Sequence, residues 1–203
     1  MYQRVLGHPF VYNHVRPWIV GGVDMSAVYA RLEAEPDDVI VDVGCGTGDA
    51  LHYLPSFKTY HGFDVDQVAI EFARKEAADR PNVIYEARPL ATEDLAAIQP
   101  SLVILAGLLH HMEDAQATAL LKMFADTRSI RRIVTQDPVY LPRENISNLL
   151  AWLDRGKFVR REDGYRGLVT RAGLELESAG VMRSHPQSGR ARYFVMTLST
   201  SSP

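Results

Sequence analysis

One stretch decides the fold: Val41-Asp42-Val43-Gly44-Cys45-Gly46-Thr47-Gly48-Asp49. The run from Val39 to Gly44 is almost wholly apolar, which is typical of a strand buried on both faces of a parallel sheet. Glycine permits the tight turn that follows, and because it has no Cβ atom a ligand can approach the main chain closely. The stretch therefore predicts a central strand, a glycine-rich binding turn and the start of a helix.

Strand-like and helix-like runs alternate along the chain on the C-terminal side of this stretch. Strands are predicted at 60–63, 83–85, 102–106 and 130–135, and helices at 49–54, 67–78, 93–98 and 115–127. Because such alternation builds right-handed βαβ units, the class is α/β with a doubly wound parallel sheet. The last two runs, 174–181 and 192–198, have no helix between them and should pair as an antiparallel hairpin at the sheet edge.

Composition excludes several classes of protein. The chain has 203 residues, 46% hydrophobic and 23% charged, as expected for one globular domain. A net charge of -3 argues against a nucleic-acid partner, and no apolar run is long enough for a transmembrane segment. Cys45 is the only cysteine, which excludes an internal disulfide. With no apolar signal segment at the N-terminus, we expect a cytoplasmic protein; composition does not predict its oligomeric state.

A second signal lies twenty residues after Gly44, where Asp64 ends the second predicted strand. A carboxylate at this place can accept hydrogen bonds from the two hydroxyls of a ribose. A dinucleotide fingerprint would put its third glycine at position 49, but that residue is Asp49, and an acid there would repel a diphosphate. Asp42 is a further acid, which suits a ligand with an ammonium or sulfonium group. The pattern therefore favours a positively charged nucleoside over a nicotinamide dinucleotide.

These motifs resemble those of class I S-adenosylmethionine-dependent methyltransferases, whose fold is Rossmann-like. Asp42 to Gly48 is similar to their first motif, Asp64 to the ribose-binding acid of their second, and Leu108 to Asp114 to the segment after the fourth strand in their small-molecule branch. The resemblance implies S-adenosyl-L-methionine as cofactor and a seven-stranded, mostly parallel sheet. The implied cofactor-binding residues are Asp42, Gly44, Cys45, Gly46, Gly48, Asp64, Val65, Ala87, Arg88 and Ala106.

The resemblance also implies how one domain, 1–203, is divided. Residues 1–35 would form an N-terminal helical lid, 36–137 the cofactor-binding core, 138–172 an acceptor-pocket segment and 173–198 the edge hairpin. The basic run from Arg155 to Arg161 is either a solvated face or a site for an acidic, sugar or lipid-linked acceptor. The candidate substrate residues are Tyr12, Arg16, Tyr140 and Arg155.

His110 and His111 are the candidate catalytic residues, because they follow the fourth strand at the edge where ligands bind in such sheets. A histidine can act as a general base near neutral pH, which favours transfer to oxygen or nitrogen over carbon. The alternative is that both residues only pack or cap the next helix. Because few acids follow the fourth and fifth strands, no metal is predicted. Two other functions stay open: a non-catalytic S-adenosylmethionine-binding partner subunit, and a nicotinamide-dependent reductase.

Overall fold

The computed structural model describes residues 23–154 and 156–200. Of the predicted N-terminal lid, residues 1–22 therefore lie outside the described part. The remainder contains a short helix, α1 (Ser26–Tyr29), followed directly by a 3-10 turn over Ala30–Leu32. The main chain at Asp24 is held by a residue far along the chain, since its N–H donates a hydrogen bond to the carbonyl of Ser184 at 2.6 Å.

One seven-stranded sheet organises the described residues, in the order β3-β2-β1-β4-β5-β7-β6. Strands β1 to β5 are parallel, and β7 lies antiparallel between β5 and β6. This confirms the predicted mostly parallel sheet with a C-terminal antiparallel hairpin. The strands are β1 (Val39–Val43), β2 (Thr59–Phe63), β3 (Val83–Glu86), β4 (Leu102–Ala106), β5 (Arg132–Pro138), β6 (Leu174–Arg183) and β7 (Arg192–Thr200).

Five longer helices cover the sheet: α2 (Gln67–Glu76), α3 (Thr92–Ile98), α4 (Asp114–Ala125), α5 (Asn145–Leu153) and α6 (Glu162–Ala172). The predicted helix over 49–54 is only a 3-10 turn at Asp49–His52. Helices α5 and α6 occupy the segment 138–172, where no helix was predicted. None of the helices in the described ranges combines the length and the apolar character that a membrane span requires.

Apolar side chains pack on both faces of the sheet. One cluster includes Leu105, Phe124 and Phe194, and the other includes Ile40 and Tyr60, all almost fully buried. Each Å² of apolar surface buried in these clusters contributes roughly 25 cal/mol of stabilisation, and this burial holds the strands in place from both faces of the sheet. The carboxyl ends of the parallel strands, and the loops that follow them, are therefore held in fixed relative positions.

Candidate functional site

A cavity of about 800 Å³ lies at the carboxyl ends of β1 to β4. The order of strands reverses between β1 and β4, and open α/β sheets bind ligands at such a switch point. It is lined by the ends of β1, β2 and β4, by the loops after β1 to β4, by α2 and α4, and by Asp154 after α5. The lining residues are Val43, Gly44, Gly46, Thr47, Phe63, Asp64, Val65, Asp66, Ala69, Arg88, Pro89, Leu90, Ala106, Gly107, Leu108, His111, Met112, Gln116, Ala119, Leu120, Met123 and Asp154.

The glycine turn and Asp64 form one hydrogen-bonded unit on this wall. The N–H of Gly46 donates to Asp64 Oδ2 at 2.9 Å, and the N–H of Asp66 donates to Asp64 Oδ1 at 2.8 Å. Gly46 has a φ of 53°, and no atom lies within 4 Å of the place where its Cβ would stand. This open space allows a ligand to approach the main chain at Gly46 closely. A carboxylate has about four lone-pair positions, so Asp64 can accept further hydrogen bonds from a diol.

Three residues of the predicted cofactor set support the turn from within and are not among the cavity lining. Asp42 is 2% exposed and accepts a hydrogen bond from the Tyr60 hydroxyl at 2.6 Å. Burial raises the pKa of Asp42 to about 7, despite that hydrogen bond. Cys45 is buried in the core, where burial raises the pKa of its thiol. Gly48 has a φ of 80°, and a Cβ there would overlap the ring and hydroxyl of Tyr85.

The loop after β3 contributes Arg88 to the cavity, whereas the predicted Ala87 is exposed and does not line it. The Arg88 guanidinium pairs with Glu86 at 2.7 Å and with Asp94 at 2.6 Å. It also lies 5.1 Å from the centre of the Phe63 ring. Because two carboxylates already neutralise Arg88, this side chain adds shape to the wall more than positive charge.

Helix α4 forms a mostly apolar wall of the cavity, and the sequence motifs did not place this helix at the site. Gln116, Ala119, Leu120 and Met123 all line the cavity. Their spacing places them on one face of the helix. That spacing was the available signal, but it predicts only a buried face and does not distinguish a cavity wall from the core.

The two predicted catalytic histidines have different environments. His110 is 2% exposed and outside the cavity lining. Its ring Nδ1 lies 2.8 Å from Asp137 Oδ1, and its Nε2 lies 3.1 Å from Asp154 Oδ1. Burial alone would lower the pKa of His110, but the hydrogen bonds to Asp137 and Asp154 outweigh it and raise the pKa to about 9. The two carboxylates therefore favour the protonated form of the His110 ring.

His111 is exposed and faces the cavity, together with Asp154. The two histidine rings lie side by side, with 4.1 Å between their centres. Asp154 follows α5 and was not singled out in the sequence. It is 112 residues from Asp42 along the chain, and no local pattern marks it as part of the same site. Only the fold brings it to the end of β4.

Of the four predicted substrate residues, Tyr12, Arg16 and Arg155 lie outside the described residues. Tyr140 is half-buried and has no part in the cavity lining. In the basic run, Arg160 is used structurally. Its guanidinium donates to the carbonyls of Leu109, Phe158 and Met112 and pairs with Asp114.

Comparison with known proteins agrees with this geometry. Residues 41–127 match the family described as a methyltransferase domain. The match begins in β1 and ends just after α4, so it contains the glycine turn, Asp64 and both histidines. No curated protein matches the sequence.

Solved structures share the fold at low sequence identity. A protein from Bacillus halodurans C-125, titled a methyltransferase, is 13% identical with a TM-score of 0.68, over 88% of this chain and 99% of that one. Magnesium protoporphyrin IX methyltransferase from Synechocystis PCC 6803, solved with bound SAH, is 16% identical with a TM-score of 0.65, over 98% of this chain and 93% of that one. The cyclase SpnF is 12% identical with a TM-score of 0.66, over 88% of this chain and 80% of that one.

Residues 41–127 thus match a methyltransferase domain, and the seven-stranded fold is the one found in class I S-adenosylmethionine-dependent methyltransferases. The resemblance of the motifs from Asp42 to Gly48 and at Asp64 is thereby confirmed at the level of the family. Because a cyclase also has this fold, the fold alone does not determine the reaction. The reaction and the methyl acceptor must be inferred from the site itself.

Proposed function

We propose that the protein transfers a methyl group from S-adenosylmethionine to an oxygen or nitrogen atom of a small molecule. The observation that carries this proposal is the glycine turn bonded to Asp64 at the edge of a cavity of about 800 Å³. The volume falls within the range of pockets that hold a cofactor or a small molecule. The lining is mainly apolar and would exclude water from the reacting groups.

The donor is assigned to the part of the cavity nearest β1 and β2. Asp64 accepts the ribose hydroxyls, and the main chain at Gly44 and Gly46 lies along the methionine part. Val65 and the loop at Arg88 cover the adenine, with Ala106 at the end of β4 as a further contact. Asp42, Cys45 and Gly48 act indirectly, because they shape the turn from its buried side. The acidic groups near the turn favour the positively charged sulfonium over a diphosphate.

The acceptor is assigned to the end formed by His111, Asp154 and the apolar face of α4. The acceptor atom attacks the methyl carbon while the carbon–sulfur bond breaks and leaves its electron pair on sulfur. A hydroxyl or ammonium acceptor must also release a proton, and His111 is the member of the predicted pair that faces the cavity. Arg160 is tied to carbonyl groups, and Asp154 is an acid, so this end favours a neutral or cationic acceptor over an acidic one.

Calorimetric titration of the purified chain tests the donor site. We expect micromolar binding of S-adenosylmethionine and of S-adenosylhomocysteine, and no binding of NADPH. Binding of NADPH alone would show a nicotinamide-dependent reductase and overturn the proposal. Binding of both adenosyl ligands, with no S-adenosylhomocysteine formed from any of a broad set of alcohols, phenols and amines, would instead indicate a non-catalytic binding subunit.

A further inference from the structure

We propose that His110, His111 and Asp154 form a binding site for one divalent transition-metal ion of the zinc class on the acceptor side of the cavity. Asp137 would hold His110 in position from behind. The role of the ion in catalysis rests on the proposed function, but the existence of the site does not. The sequence analysis predicted no metal, because Asp154 was not recognised as a neighbour of the two histidines.

The three side chains bring their donor atoms together. A nitrogen of His110, a nitrogen of His111 and an oxygen of Asp154 all lie within 4.8 Å of one another. Ligands of a tetrahedral zinc ion lie roughly 3.4 Å apart, given metal bonds of about 2.1 Å. The donors must therefore move closer by up to about 1.4 Å to share one ion, and the exposed His111 side chain is the one with room to move. Three protein ligands with a fourth position open to a cavity are typical of a catalytic metal centre.

Asp137 provides the partner that a metal-binding histidine needs on its other nitrogen. Its Oδ1 lies 2.8 Å from Nδ1 of His110 and also accepts the main-chain N–H of His110 at 3.0 Å. These contacts orient the ring so that Nδ1 faces Asp137 and Nε2 faces Asp154, and a proton on Nδ1 would leave Nε2 as the metal-binding nitrogen. Metal-bound histidines commonly donate their second N–H to a carboxylate in this way.

The ligands are held in place by the chain itself. The main chain at Gly156 packs directly on the His110 ring, where a Cβ would overlap it. The Gly156 N–H donates to Asp154 Oδ1 at 3.2 Å, and the Phe158 N–H donates to the His110 carbonyl at 2.9 Å. Arg160 ties the same segment to the carbonyls of Leu109 and Met112. Asp154 and residues 156–160 are thus held against the histidine turn before any ion binds.

Charge and donor type favour a zinc-class ion. Two carboxylates, Asp137 and Asp154, flank the single ring of His110, and a divalent ion that displaces the Nε2 proton would balance them. Two imidazole nitrogens and one carboxylate oxygen suit Zn²⁺, whereas Mg²⁺ requires mostly oxygen ligands. With the ion bound, His111 serves as a ligand instead of as the base, and an acceptor hydroxyl or amine at the open position would lose its proton to water more readily.

Zinc titration of the EDTA-treated chain, carrying no added histidines, tests the site. We expect one Zn²⁺ bound per chain at micromolar affinity or tighter, and no stoichiometric binding of Mg²⁺. His111→Ala and Asp154→Asn should each weaken Zn²⁺ binding roughly 100-fold or more, and Asp137→Asn about 10- to 100-fold. Replacing Zn²⁺ by Co²⁺ should give a visible absorption band that is lost in the same variants.

His185→Ala is the matched control, because His185 is half-buried in the turn between β6 and β7, outside the cavity lining, and contacts Ser188. It should bind Zn²⁺ as the wild type does. S-adenosylhomocysteine titration of every metal-free variant checks that the fold and the donor site persist. Absence of one-to-one Zn²⁺ binding, or equal binding by the wild type and by Asp154→Asn, overturns the metal site. If S-adenosylhomocysteine still binds, the proposed function stands without it.

Discussion

Asp64 offers the sharpest test of the donor site, through the substitution Asp64→Asn. Each carboxylate oxygen already accepts one main-chain N–H, from Gly46 at 2.9 Å and from Asp66 at 2.8 Å. The lone pairs left over are those available to the two ribose hydroxyls. An asparagine keeps one oxygen and places an NH₂ group against one of the N–H donors. The substitution therefore weakens the turn and the ribose contacts together.

The expected loss can be worked from these contacts. A hydrogen bond to a charged group contributes about 1.5–3 kcal/mol, and a neutral acceptor keeps part of it. With two hydroxyls affected, we expect a loss of about 2–4 kcal/mol, which is roughly a 30- to 1,000-fold weaker Kd for S-adenosylhomocysteine. Isothermal titration calorimetry measures this directly.

Asp49→Asn is the matched control, because Asp49 is an exposed acid in the same turn whose side chain accepts a hydrogen bond from the Thr47 hydroxyl at 3.1 Å. It removes the same charge without touching the cavity wall and should leave the Kd within about threefold of wild type. Equal effects of the two substitutions would show a general charge effect. A wild-type Kd for Asp64→Asn would mean that the ribose does not bind at Asp64.

Two further predictions concern the buried side of the turn. Gly48→Ala should lower the melting temperature by roughly 5–15 °C in a thermal melt, because a Cβ at φ 80° is strained and overlaps Tyr85. Gly180→Ala is the control and should melt close to the wild type, because no atom lies within 4 Å of its new Cβ. The pKa of Asp42 is about 7 in the folded protein and 3.8 in its usual range, so between these values the folded state holds a proton that the unfolded state releases. The free energy of unfolding, measured with urea, should therefore fall as the pH rises from about 4 to about 7. Asp42→Asn should remove this dependence, up to about 4 kcal/mol; parallel pH profiles for the two proteins would refute it.

The part of the site that local sequence could predict is the part built from neighbouring residues. The turn from Gly44 to Gly48 and its partner Asp64 are separated by one short crossover, and the parallel register of β1 and β2 places them side by side. Because the main chain itself does the binding there, glycine spacing is a direct signal. The parallel sheet followed from the alternation of strand-like and helix-like runs, and the antiparallel hairpin from the absence of a helix between the last two runs.

The acceptor end was less accessible to sequence reasoning. His110 and His111 are adjacent in the chain, and nothing in their sequence distinguishes the buried ring from the exposed one. The difference arises because β5 places Asp137 against His110 and the segment after α5 covers its ring. The helices α5 and α6 were missed because their segment was interpreted by its charges and not by its apolar spacing.

The sequence by itself determined the class of the protein, since the apolar strand, the glycines and Asp64 act through local backbone geometry and the register of adjacent strands. Only the tertiary structure decided which polar groups meet at the acceptor end. Asp137 lies in β5, Asp154 follows α5 and the two histidines follow β4. Their contacts exist because the sheet and residues 156–160 bury His110 and Asp137 and hold Asp154 beside them, where the loss of water strengthens each hydrogen bond and charge interaction.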